Sequence, residues 1–285
     1  MSEISWARRF YWSLRRELWE VPAIYVVPLA AAALVLVGFL VSAIRSPAQL
    51  LAPAQLSVQM DLPYTFAIGL IMVSTYVVAI FYSLDALYGE RRDRSILFWK
   101  SLPVSDVTTV IAKVTVPLVI APLITFAVTV ATLVLMMLMG RAVLAVTGVN
   151  TLRLGTQPPF FRTSELLVYH LFAVHALWWA PFFGWLFLIS AWARRAPFVW
   201  AAVPVFVLSI VERIAFNTSY FAGMLESRLN FSPEAIVARG KMPIDPMTQM
   251  TPGIFVTSPG LWIGLVIAVA FVGAAVRLRR YRGPI

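Results

Sequence analysis

Six stretches of this 285-residue chain are long enough and apolar enough to cross a lipid bilayer, and that limits the fold more than any other feature. A hydrocarbon core of ~30 Å needs about 20 residues of helix at ~1.5 Å rise each. Residues 21–44, 64–87, 108–139, 166–190, 198–216 and 255–276 meet that length. Lipid offers no hydrogen bonds, so each backbone amide must be satisfied within its own segment and each stretch is expected to be a helix. Charged residues make up 13% of the chain, against about 25% in an ordinary soluble domain. The expected fold class is therefore an all-α membrane protein with six transmembrane helices in one domain spanning 1–285, with no room for a separate catalytic domain. The third stretch is longer than a bilayer requires and contains Pro117 and Pro122. A kink, a tilt or an extension beyond the bilayer is expected there.

The net charge of +10 could suggest nucleic acid, but the basic residues flank apolar segments instead of forming one stripe. They read as topology signals and lipid-headgroup contacts, and nucleic-acid binding is set aside. With the amino terminus inside, the inner flanks carry fifteen Lys and Arg residues and the outer loops seven. That asymmetry predicts a multi-pass protein with both termini cytoplasmic. Cysteine is absent, which excludes disulfides and thiolate metal sites. The amino terminus lacks the pattern of a cleaved signal peptide, so the first apolar run is expected to stay as an anchor.

Residues 1–20 are expected to form an interfacial helix. Ala7, Phe10, Tyr11, Leu14 and Leu18 fall on one helical face and Arg8, Arg9, Arg15 and Arg16 on the other, with Trp6, Trp12 and Trp19 at the boundaries. The outer loops are 45–63, 140–165 and 217–254, the last with helical apolar spacing at Tyr220, Phe221, Met224, Leu225 and Leu229. Short surface or re-entrant helices are expected in it. The sequons at Asn217 and Asn230 read as chance, as does the partial repeat between "SWARRFYW" and "AWARRAPFVW".

Chemistry-bearing motifs are few. No GxxxxGK[ST] loop, HExxH or GxSxG occurs, so no catalytic residue, metal site or cofactor is assigned. His170 and His175 are five residues apart, ~140° on an α-helix, a poor geometry for a shared metal. Each reads as a packing group, and the Trp-rich "LWWAPFFGW" as packing around a proline kink. Glu212 is the one carboxylate well inside a nominal span, and Arg213 points ~100° away from it, so it needs another partner.

The remaining feature is the loop 89–106, within "GERRDRSILFWKSLPVSDVTT". A plain connection needs only a few polar residues. This one follows Glu90 and the basic Arg91, Arg92 and Arg94 with Ile96, Leu97, Phe98 and Trp99. Exposed apolar surface rimmed by charge marks a docking site. Pro103 is expected to end a short amphipathic helix, and Ser105 with Asp106 to cap the next.

These residues, continued through "VTTVIAK", resemble the loop between spans two and three of ABC transporter permeases of the type-2 export class. "ISAWARRAPFVWA" is similar to the turn between spans four and five in bacterial members, and the overall order of segments matches. The resemblance implies a permease without its own ATPase motif, not itself an enzyme, in the bacterial cytoplasmic (inner) membrane. It implies two partners, a separate ABC ATPase (nucleotide-binding) subunit and a second permease protomer, identical or homologous, besides membrane lipids. Residues 89–106 would hold the cytoplasmic coupling helix, with Ile96, Leu97, Phe98 and Trp99 in an ATPase groove and Arg91, Arg92 and Arg94 on its acidic rim. Glu212 would face the translocation path of a hydrophobic or amphipathic substrate. A non-transporting membrane sensor or immunity subunit is the alternative, followed by a membrane-embedded enzyme, which would need a convergent polar constellation within the spans.

The charge asymmetry makes one direct prediction. In the cysteine-free background, Arg239→Cys should react with an impermeant maleimide in intact cells. Reaction only after lysis would reverse the orientation.

Overall fold

The computed structural model describes residues 5–46, 58–102, 104–147, 160–229 and 252–285. All regular structure among them is helical, without a strand. Five helical segments are long and apolar enough to cross a membrane, or six if the bent pair Ser164–Trp178 and Ala180–Trp192 is one span. The expected all-helical character is therefore present, and the long apolar helices are consistent with a multi-pass membrane protein.

In chain order the elements are α1 (Trp6–Glu20), α2 (Ala23–Arg45), α3 (Val58–Asp85), α4 (Tyr88–Arg92), α5 (Ile96–Ser101) and α6 (Asp106–Thr115). A π-helical segment, π1 (Val116–Ile120), leads into α7 (Ala121–Val146). Then come α8 (Phe160–Tyr169), a second π segment π2 (His170–Trp178), α9 (Ala180–Trp192), α10 (Pro197–Phe216), α11 (Tyr220–Leu229), α12 (Pro252–Thr257) and α13 (Pro259–Tyr281). The third span runs from Asp106 to Val146, 41 residues, and so is longer than the 108–139 expected. Pro103, the Asn230 site and most of the expected loops (47–57, 148–159 and 230–251) lie outside the described residues.

The two π segments change one expectation. In π geometry the N–H of residue i+5 bonds the C=O of residue i, so residues five apart lie nearly one above the other. His170 and His175 both fall in π2 and both are buried, so the ~140° separation of an α-helix does not apply to them. The prolines account for the irregularity of π1. In a π turn the Pro117 carbonyl would be served by residue 122, and Pro122 has no N–H to give. His175 Nε2 lies 3.0 Å from that carbonyl. The expected break at "LWWAPFFGW" is present too: the pair bends by 47° between Trp178 and Ala180. Arg228, on α11, donates to the Trp178 carbonyl (2.8 Å) and to that of Gly260, with its guanidinium 4.1 Å over the Trp178 ring. It thereby serves a carbonyl beside the break.

The chain divides into two compact units. One comprises Pro22–Val78 and Ala121–Val168. Within it Val35, Phe39, Ala67 and Met136 form a buried cluster joining α2, α3 and α7. Thr125 Oγ1 donates to Thr75 Oγ1 at 2.8 Å, a polar tie between α3 and α7. The other unit comprises Met1–Val21, Ala79–Ile120 and Tyr169–Ile285. Its tightest helix pair is α9 with α13, and Gly184 is why. A Cβ at Gly184 would stand 3.2 Å from the Ala268 carbonyl oxygen and 3.3 Å from its Cα. Without a hydrophobic driving force between spans, such small residues let backbones approach and pack. Gly184→Val should force these helices apart, costing ~1–3 kcal/mol by overpacking and lowering the Tm in detergent. An unchanged melting curve would show that the close approach is not needed.

Candidate functional site

The functional candidate is the end of the second unit where the loop 89–106 meets four other segments. Its centre is Lys113, on the second turn of α6. Ser105 starts that helix as the sequence suggested, its Oγ accepting from the Thr108 N–H at 3.1 Å. Lys113 Nζ then lies 2.9 Å from Glu17 Oε1 and 3.1 Å from Glu90 Oε1, with Lys113 3% and Glu17 2% exposed. Tyr82 donates to Glu17 Oε2 at 2.9 Å. Arg16 contacts Glu17 (2.6 Å), Glu90 (3.2 Å) and Glu20 (3.3 Å). Arg279, on α13, pairs with Glu90 and with Asp106 Oδ1 at 3.2 Å. Three cations and four carboxylates thus share one network, buried at Glu17, Glu90, Lys113 and Arg279 and opening outward at Glu20, and the Tyr82 hydroxyl gives the surplus carboxylate a neutral donor.

The electrostatics follow from this crowding. Burial works against the Arg16 charge, yet the carboxylates of Glu17, Glu20 and Glu90 outweigh it and raise the guanidinium pKa. Burial raises the Glu20 carboxyl above its usual range even with Arg16 beside it.

A second set of bonds fixes the loop itself. Arg91 donates to the carbonyls of Ser190 (3.0 Å) and Ala193, and Ser190 Oγ accepts from the N–H groups of Leu87 and Tyr88, both at 3.0 Å. The Ile285 N–H donates to the Arg91 carbonyl at 3.2 Å. Lys100 Nζ donates to the carbonyls of Arg280 and Arg282, both at 3.3 Å. Arg94 turns the chain between α4 and α5 with a φ of 60°, a left-handed conformation uncommon for a side chain of its kind.

The loop residues therefore separate into two groups. Glu90, Arg91 and Ile96 point inward and are buried. Trp99 is half-covered, with the Arg16 guanidinium 3.8 Å over its ring. Arg92 and Arg94 point outward, with Arg92 paired to Asp93 (2.9 Å), and Leu97 and Phe98 are each 59% exposed. Arg91 was expected on the rim facing a partner; its guanidinium is instead spent on the backbone where α9 ends. Glu212, expected to face a path, is already engaged: it accepts from Thr218 Oγ1 (3.0 Å) and from the N–H groups of Tyr220 (2.7 Å) and Phe221 (2.9 Å). This caps α11 with a carboxylate at the positive end of its dipole, which supplies the partner the sequence demanded.

Sequence reading missed Glu17 altogether and treated Lys113, Arg16 and Arg279 as topology signals. One clue was present: Glu17 lies three and seven residues after Leu14 and Phe10, on the inward face of an otherwise basic helix. Among the described residues no group of three or more His, Cys, Asp or Glu is placed to hold a metal. Comparison with protein-family models, with curated proteins and with solved structures found no match.

Removing Lys113 should be costly, because Glu17 and Glu90 would lose the buried ammonium between them and keep only Arg16 as a shared cation. Lys113→Met is expected to destabilise by ~3–5 kcal/mol, and the double variant Glu17→Met/Lys113→Met by less than the sum of its parts. Additive losses in thermal unfolding would show that the two groups do not interact.

Proposed function

We propose that this chain is the transmembrane subunit of an ATP-driven ABC exporter, and that α5 is the helix through which a separate ATPase subunit moves it. The observation that carries the reading is the form of the loop: an apolar pair, Leu97 and Phe98, stands out beside Arg92 and Arg94 on a base that cannot yield locally. An ATPase groove would take the apolar pair, and acidic groove edges would meet the arginines. Force applied to α5 would pass through Trp99 and Arg16 to α1, through Lys100 to the end of α13, and through Glu90 to α6 and α13.

In this reading the chain hydrolyses no ATP itself, works with a second permease protomer, and lies in a bacterial cytoplasmic membrane with both termini inside. Its cargo is hydrophobic or amphipathic, in keeping with apolar span faces. In this reading Leu97 and Phe98 are the docking anchors, in keeping with their exposure, and half-covered Trp99 braces the helix.

The test is co-purification of the tagged chain from cells that make it natively, scored for an ATPase with a phosphate-binding loop and for ATP hydrolysis. Leu97→Ala/Phe98→Ala should abolish both while leaving the melting temperature unchanged, since buried anchors of an interface are worth ~2 kcal/mol or more each. Full association and hydrolysis in that variant would exclude α5 as the docking element.

A further inference from the structure

The helix α1 has two charged faces, and the network uses only one of them. Its two carboxylates, Glu17 and Glu20, both pair with Arg16 on the inward side. On the outward side Arg8, Trp12, Arg15 and Trp19 follow one another at spacings of four, three and four residues, which places them on one stripe of an α-helix. Trp12 is 53% and Trp19 69% exposed, and Tyr11, its ring centroid 5.6 Å from that of Trp12, extends the same surface. The Arg15 guanidinium stands 5.1 Å from the Trp12 ring centroid and 4.6 Å from that of Trp19. Neither Arg8 nor Arg15 has a carboxylate partner among the described residues. The sequence-based wheel grouped all four arginines on one polar face; the structure sends Arg16 inward and leaves Arg8 and Arg15 outside with the tryptophans.

We propose that this Arg–Trp ladder is a docking surface for anionic phospholipid headgroups. Three observations select that occupant. Only Val21 and Pro22 separate α1 from the apolar helix Ala23–Arg45, so chain length keeps α1 at the surface of the bilayer that helix enters. Indole rings partition to the depth of the headgroups, where their apolar bodies and N–H groups are both accommodated. Flat rings flanking a guanidinium hold it against the phosphate layer while its N–H edges stay free for bidentate contact with phosphate oxygens. A zwitterionic leaflet satisfies the rings alone; an anionic one also satisfies the two unpaired cations.

The surface does not depend on what the chain transports or whether it does so, and its test uses the full-length protein alone. Affinity for phosphatidylglycerol and for phosphatidylcholine would be measured by native mass spectrometry of the purified chain titrated with each lipid. Wild type should hold phosphatidylglycerol more tightly. Arg8→Gln/Arg15→Gln should lose about thirtyfold of that preference, the effect of two juxtamembrane cations. Arg194→Gln/Arg195→Gln removes the same charge from an exposed turn without flanking indole pairs on one stripe and should lose much less of it. Equal affinity of wild type for the two lipids would overturn the proposal. So would equal losses in the two double variants, which would reduce the effect to net charge. Undiminished phosphatidylglycerol binding by Arg8→Gln/Arg15→Gln would also overturn it and leave the ladder to an acidic protein.

Discussion

A single ammonium group, Lys113 Nζ, holds the described base together. It is buried with Glu17 and Glu90, each of which is also bound by Arg16, and Glu90 by Arg279 as well. Taking any of these charges out of water alone would cost several kcal/mol, and the cost is offset only while all of them stay together. The arrangement therefore resists partial opening. Because its members come from α1, α4, α6 and α13, the ends of these helices are tied to one point. The short helix α5 inherits this fixity through Arg16 on Trp99 and Lys100 on the end of α13. A six-residue helix has little stability of its own, so its orientation comes from what grips its two ends.

The irregular backbone of the same unit has a comparable logic. Two of its long helical runs contain π turns, and these meet where His175 reaches the Pro117 carbonyl. A helix in an apolar medium cannot leave a carbonyl unserved, so a proline that withdraws an N–H must be answered from a neighbouring element. His175 gives that answer at the π turn, and Arg228 serves a carbonyl beside a bend. The placement of His175 and Arg228 follows from the carbonyls they serve.

The all-helical character with five or six membrane-length apolar helices, the short helix at Ile96–Ser101 and the Ser105 cap were legible because each rests on local pattern. Apolar length, turn residues and capping preferences act within a few positions of one another. The network was not legible for the opposite reason. Glu17 and Lys113 are 96 residues apart, and nothing in either neighbourhood says which distant charge it will meet. A helical wheel sorts α1 by polarity and so puts its arginines on one side. It cannot register that a face opposite the water can be charged if its partners are charged too. The histidine geometry failed for a narrower reason, since it assumed 3.6 residues per turn in a segment that is π-helical. Glu212 shows the limit from the other side: the need for a partner was readable, but a capped helix eight residues later satisfies it as well as any cavity would.

Arg15 and Arg16 make the consequence concrete. They are chemically identical neighbours, and a charge count over the sequence treats them alike. A step of ~100° on the helix separates them into different environments. Arg16 turns to three carboxylates and the ring of Trp99, so its charge is neutralised inside the protein. Arg15 turns to two exposed indoles and, among the described residues, to no carboxylate, so its charge stays available to an anion. The net charge of +10 is thus unevenly available: the cations nearest the network's centre are paired, and unpaired charge is left on the outer stripe of α1. That stripe and the loop face bearing Leu97 and Phe98 are both anchored to the same network, the first through Glu17 and Arg16, the second through Glu90 and Trp99. The two surfaces are thus built on one shared set of ion pairs, which fixes α1 and α5 to the same point.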